Sequence, residues 1–390
     1  MRDDTLEGIK IGIVAGEPSG DLLGASLIKA LRQKIPHLTI TGVGGPAMIA
    51  EGCESLYNIE SLSLMGFVEP LMHLPELINI RNGLYHHFLK NKPDVFIGID
   101  SPDFNLGLEL KLRQKGIRVA HYVSPSVWAW RQNRIFKIAR AVDLMLTLFP
   151  FEAKIYEDHQ IPVKFVGHPL ADQIPLHPDK LAARKRLNLD PEKIYIAILP
   201  GSRRKELKYL AKLFIAAAYR IWKVRPQIEF ITSSANKKRH VEFQTKWRKD
   251  IPEVPIKFFE RHSHDVMEAS DVVLVTSGTA TLETMLYKRP MVIAYRTGAL
   301  TFQIAKRIIH VKYIGLPNLL ANERVVPELI QNDATPEKLT LALLDYLDHP
   351  EKVAALEKRF TELHEKLRCN ASEKAAEAIF SLISTSLRGA

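Results

Sequence analysis

The sequence predicts two facing α/β domains built on parallel sheets and closed by a helical tail. Short runs rich in Val and Ile alternate with helix-period segments along most of the 390 residues, the pattern of βαβ units whose strands are covered on both faces. The length is well over twice the roughly 150 residues of an average domain, so each part can bury a core of its own. Pro175 and Pro178 interrupt the pattern near its middle, where they disfavour helix and mark a hinge or linker.

Taken in order, Ile9–Ala15 reads as the first strand because it is a nearly unbroken apolar run. Residues 21–34 read as a helix, with Leu23, Leu27 and Leu31 four apart on one face. Further strands are expected at 38–43, 95–99, 118–122, 144–149 and 163–166. Beyond the linker the pattern resumes with strands at 194–199, 228–232, 256–259, 272–275 and 291–295. From Pro336 to about Leu387 helix formers dominate, which predicts three closing helices.

Composition fits an ordinary globular enzyme: 46% hydrophobic and 25% charged, with 20 Gly and 23 Pro, excluding a disordered, collagen-like or coiled-coil chain. The net charge of +10 is uneven. Residues 1–168 hold 18 basic and 18 acidic side chains, 169–260 hold 20 and 10, and 261–390 hold 16 and 16. A local basic excess points to an anionic partner, whether nucleic acid, ligand phosphate or an acidic membrane surface. Cys53 and Cys369 lie in no CxxC or His-rich setting, so neither a disulfide framework nor a zinc site is indicated. Residues 1–10 lack the pattern of a secretory signal, and no apolar run is long enough to span a bilayer. A reducing cytoplasm is the expected compartment.

Ligands in open parallel sheets bind beyond the carboxyl ends of the strands, so the loops after each strand carry the functional argument. Gly16-Glu17-Pro18-Ser19-Gly20-Asp21 is neither a GxGxxG fingerprint nor a P-loop. Ser19 or Asp21 reads as a helix cap, which does not account for Glu17, placed where backbone amides and a ligand could meet. Gly98-Ile99-Asp100-Ser101-Pro102-Asp103 sets two carboxylates three residues apart after a strong strand. Position favours Asp100 as a general base, while Asp103 reads as a cap. His121 to Arg131 holds two of the four tryptophans among polar side chains. Sugar stacking and core packing are equally open readings there.

In the second half, Leu199-Pro200-Gly201-Ser202-Arg203-Arg204-Lys205-Glu206 follows a strand and opens a helix. Glycine permits close backbone approach, helix N–H groups are free, and Arg203 can fork onto phosphate oxygens. Cations at a helix start oppose the dipole unless an anion is bound. Ser277, Gly278, Thr279 and Ala280 repeat this logic with amides and hydroxyls, and Glu283, one turn on, can accept from ribose hydroxyls. Two such helix starts suit a nucleoside diphosphate. With no DxD triplet in the sequence, neutralisation by Arg203 and dipoles, without metal or other cofactor, is the consistent reading.

These residues resemble a known family. GEPSGD at 16–21, GIDSPDFN at 98–105, HYVSPSVWAWR at 121–131, LPGSR at 199–203, SGTATLE at 277–283 and LPNLL at 316–320 are similar, in order, to the lipid-A-disaccharide synthase family. The resemblance implies a GT-B type inverting glycosyltransferase with two facing Rossmann-like domains. Its implied reaction transfers 2,3-diacylglucosamine from UDP-2,3-diacylglucosamine to 2,3-diacylglucosamine 1-phosphate (lipid X), giving the β-1′,6-linked disaccharide phosphate and UDP without metal. Asp100 then matches the catalytic carboxylate, Glu17 and Ser19 a neighbouring acceptor-side motif, and Arg203 the phosphate-binding arginine. Glu283 matches the ribose-binding glutamate, and Asn318 a polar residue near nucleotide or sugar. His121 falls in the third motif and is expected to face substrate. The implied division is an acceptor-side domain at 1–170, joined by the last helix at about 371–387, and a UDP-sugar domain at 171–370. Swapped dimers also occur in the family, so a homodimer is an open expectation.

Acylated substrates require a face toward the cytoplasmic side of the inner membrane. The stretch 62–78 is dense in large apolar residues yet broken by Gly and two Pro, and Phe67, Val68, Leu71 and Leu74 are the expected interfacial patch. Packing onto the sheet is the competing reading. Lys237 to Arg239 and Lys246 to Lys249 are expected to attract anionic headgroups. A UDP-sugar 2-epimerase would also use two α/β domains and a UDP pocket. A nucleic-acid-binding protein is disfavoured, because the basic residues fall in one segment with no named module.

Overall fold

The computed structural model describes residues 8–63, 70–234, 237–309 and 311–388. The chain forms two compact units: Met1–Asp172 with Leu367–Ala390, and Gln173–Lys366.

The first unit is a seven-stranded parallel sheet in the order β3-β2-β1-β4-β5-β6-β7. Its strands are β1 (Ile9–Ala15), β2 (Leu38–Val43), β3 (Cys53–Ser55), β4 (Val95–Ile99), β5 (Arg118–Tyr122), β6 (Leu144–Thr147) and β7 (Val163–Phe165). Between them run α1 (Pro18–Lys34), α2 (Pro46–Ala50), α3 (Glu60–Ser63), α4 (Pro70–Lys90), α5 (Pro102–Arg113), α6 (Arg134–Ala141), α7 (Pro150–Asp158) and α8 (Pro169–Gln173). All five residues of β4 are buried, as expected when helices cover both faces of a strand.

The second unit is a six-stranded parallel sheet in the order β10-β9-β8-β11-β12-β13. It contains β8 (Tyr195–Leu199), β9 (Glu229–Ser234), β10 (Ile256–Glu260), β11 (Val272–Thr276), β12 (Met291–Tyr295) and β13 (Glu328–Ile330). Its helices are α9 (Lys180–Arg186), α10 (Arg204–Val224), α11 (Lys237–Asp250), α12 (Ser263–Ala269), α13 (Thr279–Leu286), α14 (Ala299–Ile308), α15 (Leu316–Ala321), α16 (Pro336–Asp348) and α17 (Pro350–Leu367). The last helix, α18 (Ala371–Arg388), lies against α1 in the first unit. Ala375, Ala376, Ile379 and Ile383 join Leu27 and Leu31 in its core. The two alanines let the helices approach closely, while the isoleucines supply apolar area at about 25 cal/mol per Å² buried.

Two details correct the sequence reading. The first helix begins at Pro18, whose fixed φ suits the first helical turn, and neither Ser19 nor Asp21 caps it. The Asp21 carboxylate instead accepts N–H bonds from Gly45 (2.8 Å), Ala47 (3.0 Å) and Met48 (3.0 Å), capping α2. Likewise Asp103 is no cap: it is the second residue of α5, and Arg134 donates to it at 2.5 Å.

Candidate active site

Each sheet reverses its strand order once, between β1 and β4 in the first unit and between β8 and β11 in the second. The space outside the carboxyl ends of such strand pairs is where open α/β sheets bind ligands. Four of the five loops singled out by the sequence leave these four strands, and the fifth, 121–131, leaves β5 beside β4.

In the first unit the loops after β1 and β4 touch. A Cβ on Gly16 would overlap the Ser101 hydroxyl, so only glycine fits there. Glu17 precedes α1 in extended conformation and is exposed, as is Ser19. Asp100 and Ser101 both adopt left-handed backbone, with φ of 51° and 44°. Such conformations cost on the order of 1–3 kcal/mol per non-glycine residue and persist only where the surroundings impose them. Here Asp100 N–H donates to Tyr122 O at 2.9 Å. The buried Asn105 amide donates to Asp100 O (2.9 Å), Ile99 O (3.3 Å) and Val14 O (3.3 Å), tying β1, β4 and the turn together.

His121 ends inside the protein. Its side chain is fully buried, with Nδ1 2.6 Å from Glu109 Oε1; the carboxylate can only accept, so the ring nitrogen donates. This placement corrects the expectation of a substrate-facing imidazole. The neighbouring aromatic stretch is largely packing: Trp128 crosses Phe151 edge-on and its indole donates to the buried Glu152 at 3.3 Å. Glu152 Oε2 also accepts from Leu148 N and Phe149 N, yet burial pushes its pKa up to about 8. Burial lowers buried His168, the neighbour of Phe149, to about 4. Trp130 carries the Arg131 guanidinium 4.4 Å from its ring centre.

In the second unit the loops after β8 and β11 line a cavity of about 340 Å³. It gathers Arg203, Ser277, Gly278, Thr279, Ala280 and Glu283. Gly201 holds φ +100°, and a Cβ there would overlap Glu206. Glu206 accepts from Arg203 N–H at 3.0 Å and fixes the start of α10, leaving the Arg203 side chain 81% exposed. Gly278 has φ +154° with nothing within 4 Å of where a Cβ would stand, so the space beside its Cα is open. Ser277 Oγ donates to Ile314 O at 2.9 Å and Thr281 Oγ1 to Gly278 O at 2.7 Å, which stiffens the turn. Burial raises the pKa of Glu283, against the opposing charge of His264.

Sequence reasoning missed Ser233 and Ser234 at the end of β9 and Ser263 and Met267 on α12, which complete the cavity. The same rule of inspecting every strand's carboxyl end would have found the two β9 serines. Thr276 Oγ1, also in the lining, is buried without a hydrogen-bond partner. Asn318 departs from its expected place beside nucleotide or sugar. It is fully buried, donates to Val326 O and Glu328 Oε1, and accepts from Val325 and Val326 N–H. Its hydrogen-bonding capacity is thereby spent bracing the segment before β13.

Of the expected apolar patch, Phe67 and Val68 lie outside the described residues. Leu71 and Leu74 fall in the first turns of α4, and Leu74 is 47% exposed. Leu62 and Leu77 are buried, so part of this stretch does pack inward. Among the described residues no helix is long and apolar enough to cross a membrane. Nor do any three His, Cys, Asp or Glu among them group so as to hold a metal ion.

The chain matches the profile of the family described as Lipid-A-disaccharide synthetase over residues 11–379. It is 52% identical over 375 residues to a lipid-A-disaccharide synthase of Hahella chejuensis, covering 96% of this chain and 94% of that one. A Pseudomonas aeruginosa lipid-A-disaccharide synthase is 49% identical over 379 residues, 97% and 99% of the two chains. Among solved structures, the glycotransferase of kitacinnamycin superposes with TM-score 0.65 at 16% identity, covering 96% of this chain and 99% of that one. The UDP-GlcNAc 2-epimerase of Neisseria meningitidis bound to UDP-GlcNAc superposes with TM-score 0.62 at 12% identity, covering 96% and 100%. Those likenesses show the GT-B type fold.

Proposed function

This chain belongs to the lipid-A-disaccharide synthase family and is a glycosyltransferase, and from that premise we propose that it transfers 2,3-diacylglucosamine from UDP-2,3-diacylglucosamine to the 6-hydroxyl of 2,3-diacylglucosamine 1-phosphate. The observation that carries this reading is the cavity of the second unit, where one exposed arginine, a glycine-opened helix start and a half-buried glutamate converge. Arg203 and the amides of 277–280 would take the diphosphate, and Glu283 the ribose. In the first unit Asp100, fixed at the end of β4, would remove the acceptor hydroxyl proton. The acceptor oxygen forms its bond to the donor anomeric carbon as the bond to UDP breaks, the electron pair leaving with UDP and the configuration inverting. Arg203 and the helix-start amides stabilise the leaving diphosphate without metal. Glu17 and Ser19, exposed beside Asp100's turn, would contact the acceptor.

Mass-spectrometric detection of the disaccharide phosphate and UDP from the two acylated substrates tests the reaction. Absence of product with both substrates present rejects it. Arg203→Ala should weaken UDP binding by about tenfold or more, and unchanged affinity removes Arg203 from the site. The epimerase reading draws on fold likeness at 12% identity, against about half the residues shared with named synthases. Incubation with UDP-N-acetylglucosamine alone separates the two, since only an epimerase isomerises it.

Because both substrates are acylated, the protein would meet the cytoplasmic face of the inner membrane peripherally. Exposed Leu74 and the basic α11 would make contact through apolar insertion and headgroup attraction. Leu71→Ser with Leu74→Ser should reduce co-sedimentation with anionic vesicles, and wild-type binding by that variant assigns the stretch to packing.

A further inference from the structure

The helix α5 points two polar side chains, Asn105 and Glu109, at the end of the sheet. Spaced by four residues, they share one helix face. Asn105 holds the carbonyl of Asp100, and Glu109 holds the imidazole of His121 on the adjacent strand β5. Room for the carboxylate exists because residue 98 is glycine. Gly98 stands opposite His121 in the β4–β5 register, and a Cβ there would overlap Glu109 Oε1. Tyr122, the next residue after His121, receives the Asp100 N–H. Two strands and one helix therefore bring this couple to the base of the strained Asp100 turn.

The couple is costly in isolation. Both side chains are fully buried, and neither His121 Nε2 nor Glu109 Oε2 has a hydrogen-bond partner. Buried ion pairs are often no more stabilising than apolar residues of similar shape, so packing alone gives no reason to keep one here. Resting on the reading of Asp100 as the base, we propose that Glu109 and His121 are a positioning pair for Asp100: their hydrogen bond locks α5 to β5 beneath the Asp100 turn, which hangs from Asn105 on that helix and Tyr122 on that strand, and so holds the turn in place. Burial by itself would favour the neutral ring, but the charge and hydrogen bond of Glu109, then the charge of Asp100, hold the imidazole pKa above its ordinary value. Those two carboxylates are the charged groups that act on it. The pair touches no reacting atom and acts only through Asp100.

The test uses the full chain with both acylated substrates, following kcat, KM and thermal unfolding from pH 5.5 to 9. His121→Gln, Glu109→Gln and the double variant are compared with Asp100→Asn. Removing one member leaves the other buried and unpaired, so a single variant can fail to fold. The double variant removes both charges and should keep near wild-type stability. It should nevertheless lose about ten- to a hundredfold in kcat, with KM for the UDP donor unchanged. A stable double variant with wild-type kcat overturns the proposal while leaving Asp100 as base. Substantial turnover by Asp100→Asn overturns the base reading, and the positioning role with it. A purely structural pair would lower stability in the singles, recover in the double, and leave kcat intact throughout.

Discussion

The two units run the same strand order through their switch points but finish the loops there with opposite kinds of residue. In the second unit the left-handed or unusual backbone falls on glycine, at Gly201 and Gly278, and the peptide planes face a cavity. In the first it falls on Asp100 and Ser101, side chains that a glycine would abolish, and the turn is braced from behind by Asn105. A loop that binds through its backbone can relieve strain with glycine. A loop that must deliver a carboxylate at a fixed point has no such relief and depends on its supports.

The largest expected effect tests that contrast directly. Asp100→Asn should reduce turnover by more than about a hundredfold while calorimetric UDP affinity stays unchanged; equal loss of both would erase the division of labour. Next, Gly201→Ala places a Cβ on Glu206 at φ +100° and should destabilise the second unit by about 3 kcal/mol in urea unfolding. Gly278→Ala, with open space before it, should cost less stability but weaken UDP binding.

Titration separates the units further. Burial raises Glu152 to about 8, so the folded unit favours its protonated form. The stability this provides is complete below the unfolded value near 4.5 and is lost as pH climbs through about 8. Between pH 6 and 8 the loss is roughly 2 kcal/mol, and Glu152→Gln should flatten that slope. A slope unchanged in the variant would place the titration elsewhere. The smallest effect is expected of Ser101→Gly, which relieves φ 44° at a helix start where Ser101 makes no side-chain cap bond. It should raise the melting stability by up to about 1 kcal/mol and lower turnover by loosening Asp100.

Much of this was legible in the sequence because apolar strand runs and glycine-bearing loops are local signals. β1, β2, β4, β5 and β12 coincide with the expected spans, while β3 and β13 escaped because Cys-Glu-Ser and Glu-Leu-Ile hold too few apolar residues to mark a strand. The cavity's arginine, small-residue turn and glutamate were found as motifs, each within one loop. What escaped depends on partners distant in sequence. Asp21 caps a helix some 25 residues on, Glu109 meets a histidine on another strand, and Asn318 saturates itself on residues 325–328. A polar side chain within a recognisable motif gives no sign of whether it faces ligand or its own backbone.

The packing of α18 on α1 also orders events during synthesis. Ribosomes deliver the chain from its amino end, so the face of α1 around Leu27 and Leu31 waits uncovered while nearly 340 further residues are made. The second unit, whose residues are contiguous, can complete its core meanwhile. A nascent chain stalled after α17 would therefore carry one finished unit and one with an open apolar seam, the form that chaperones and proteases recognise.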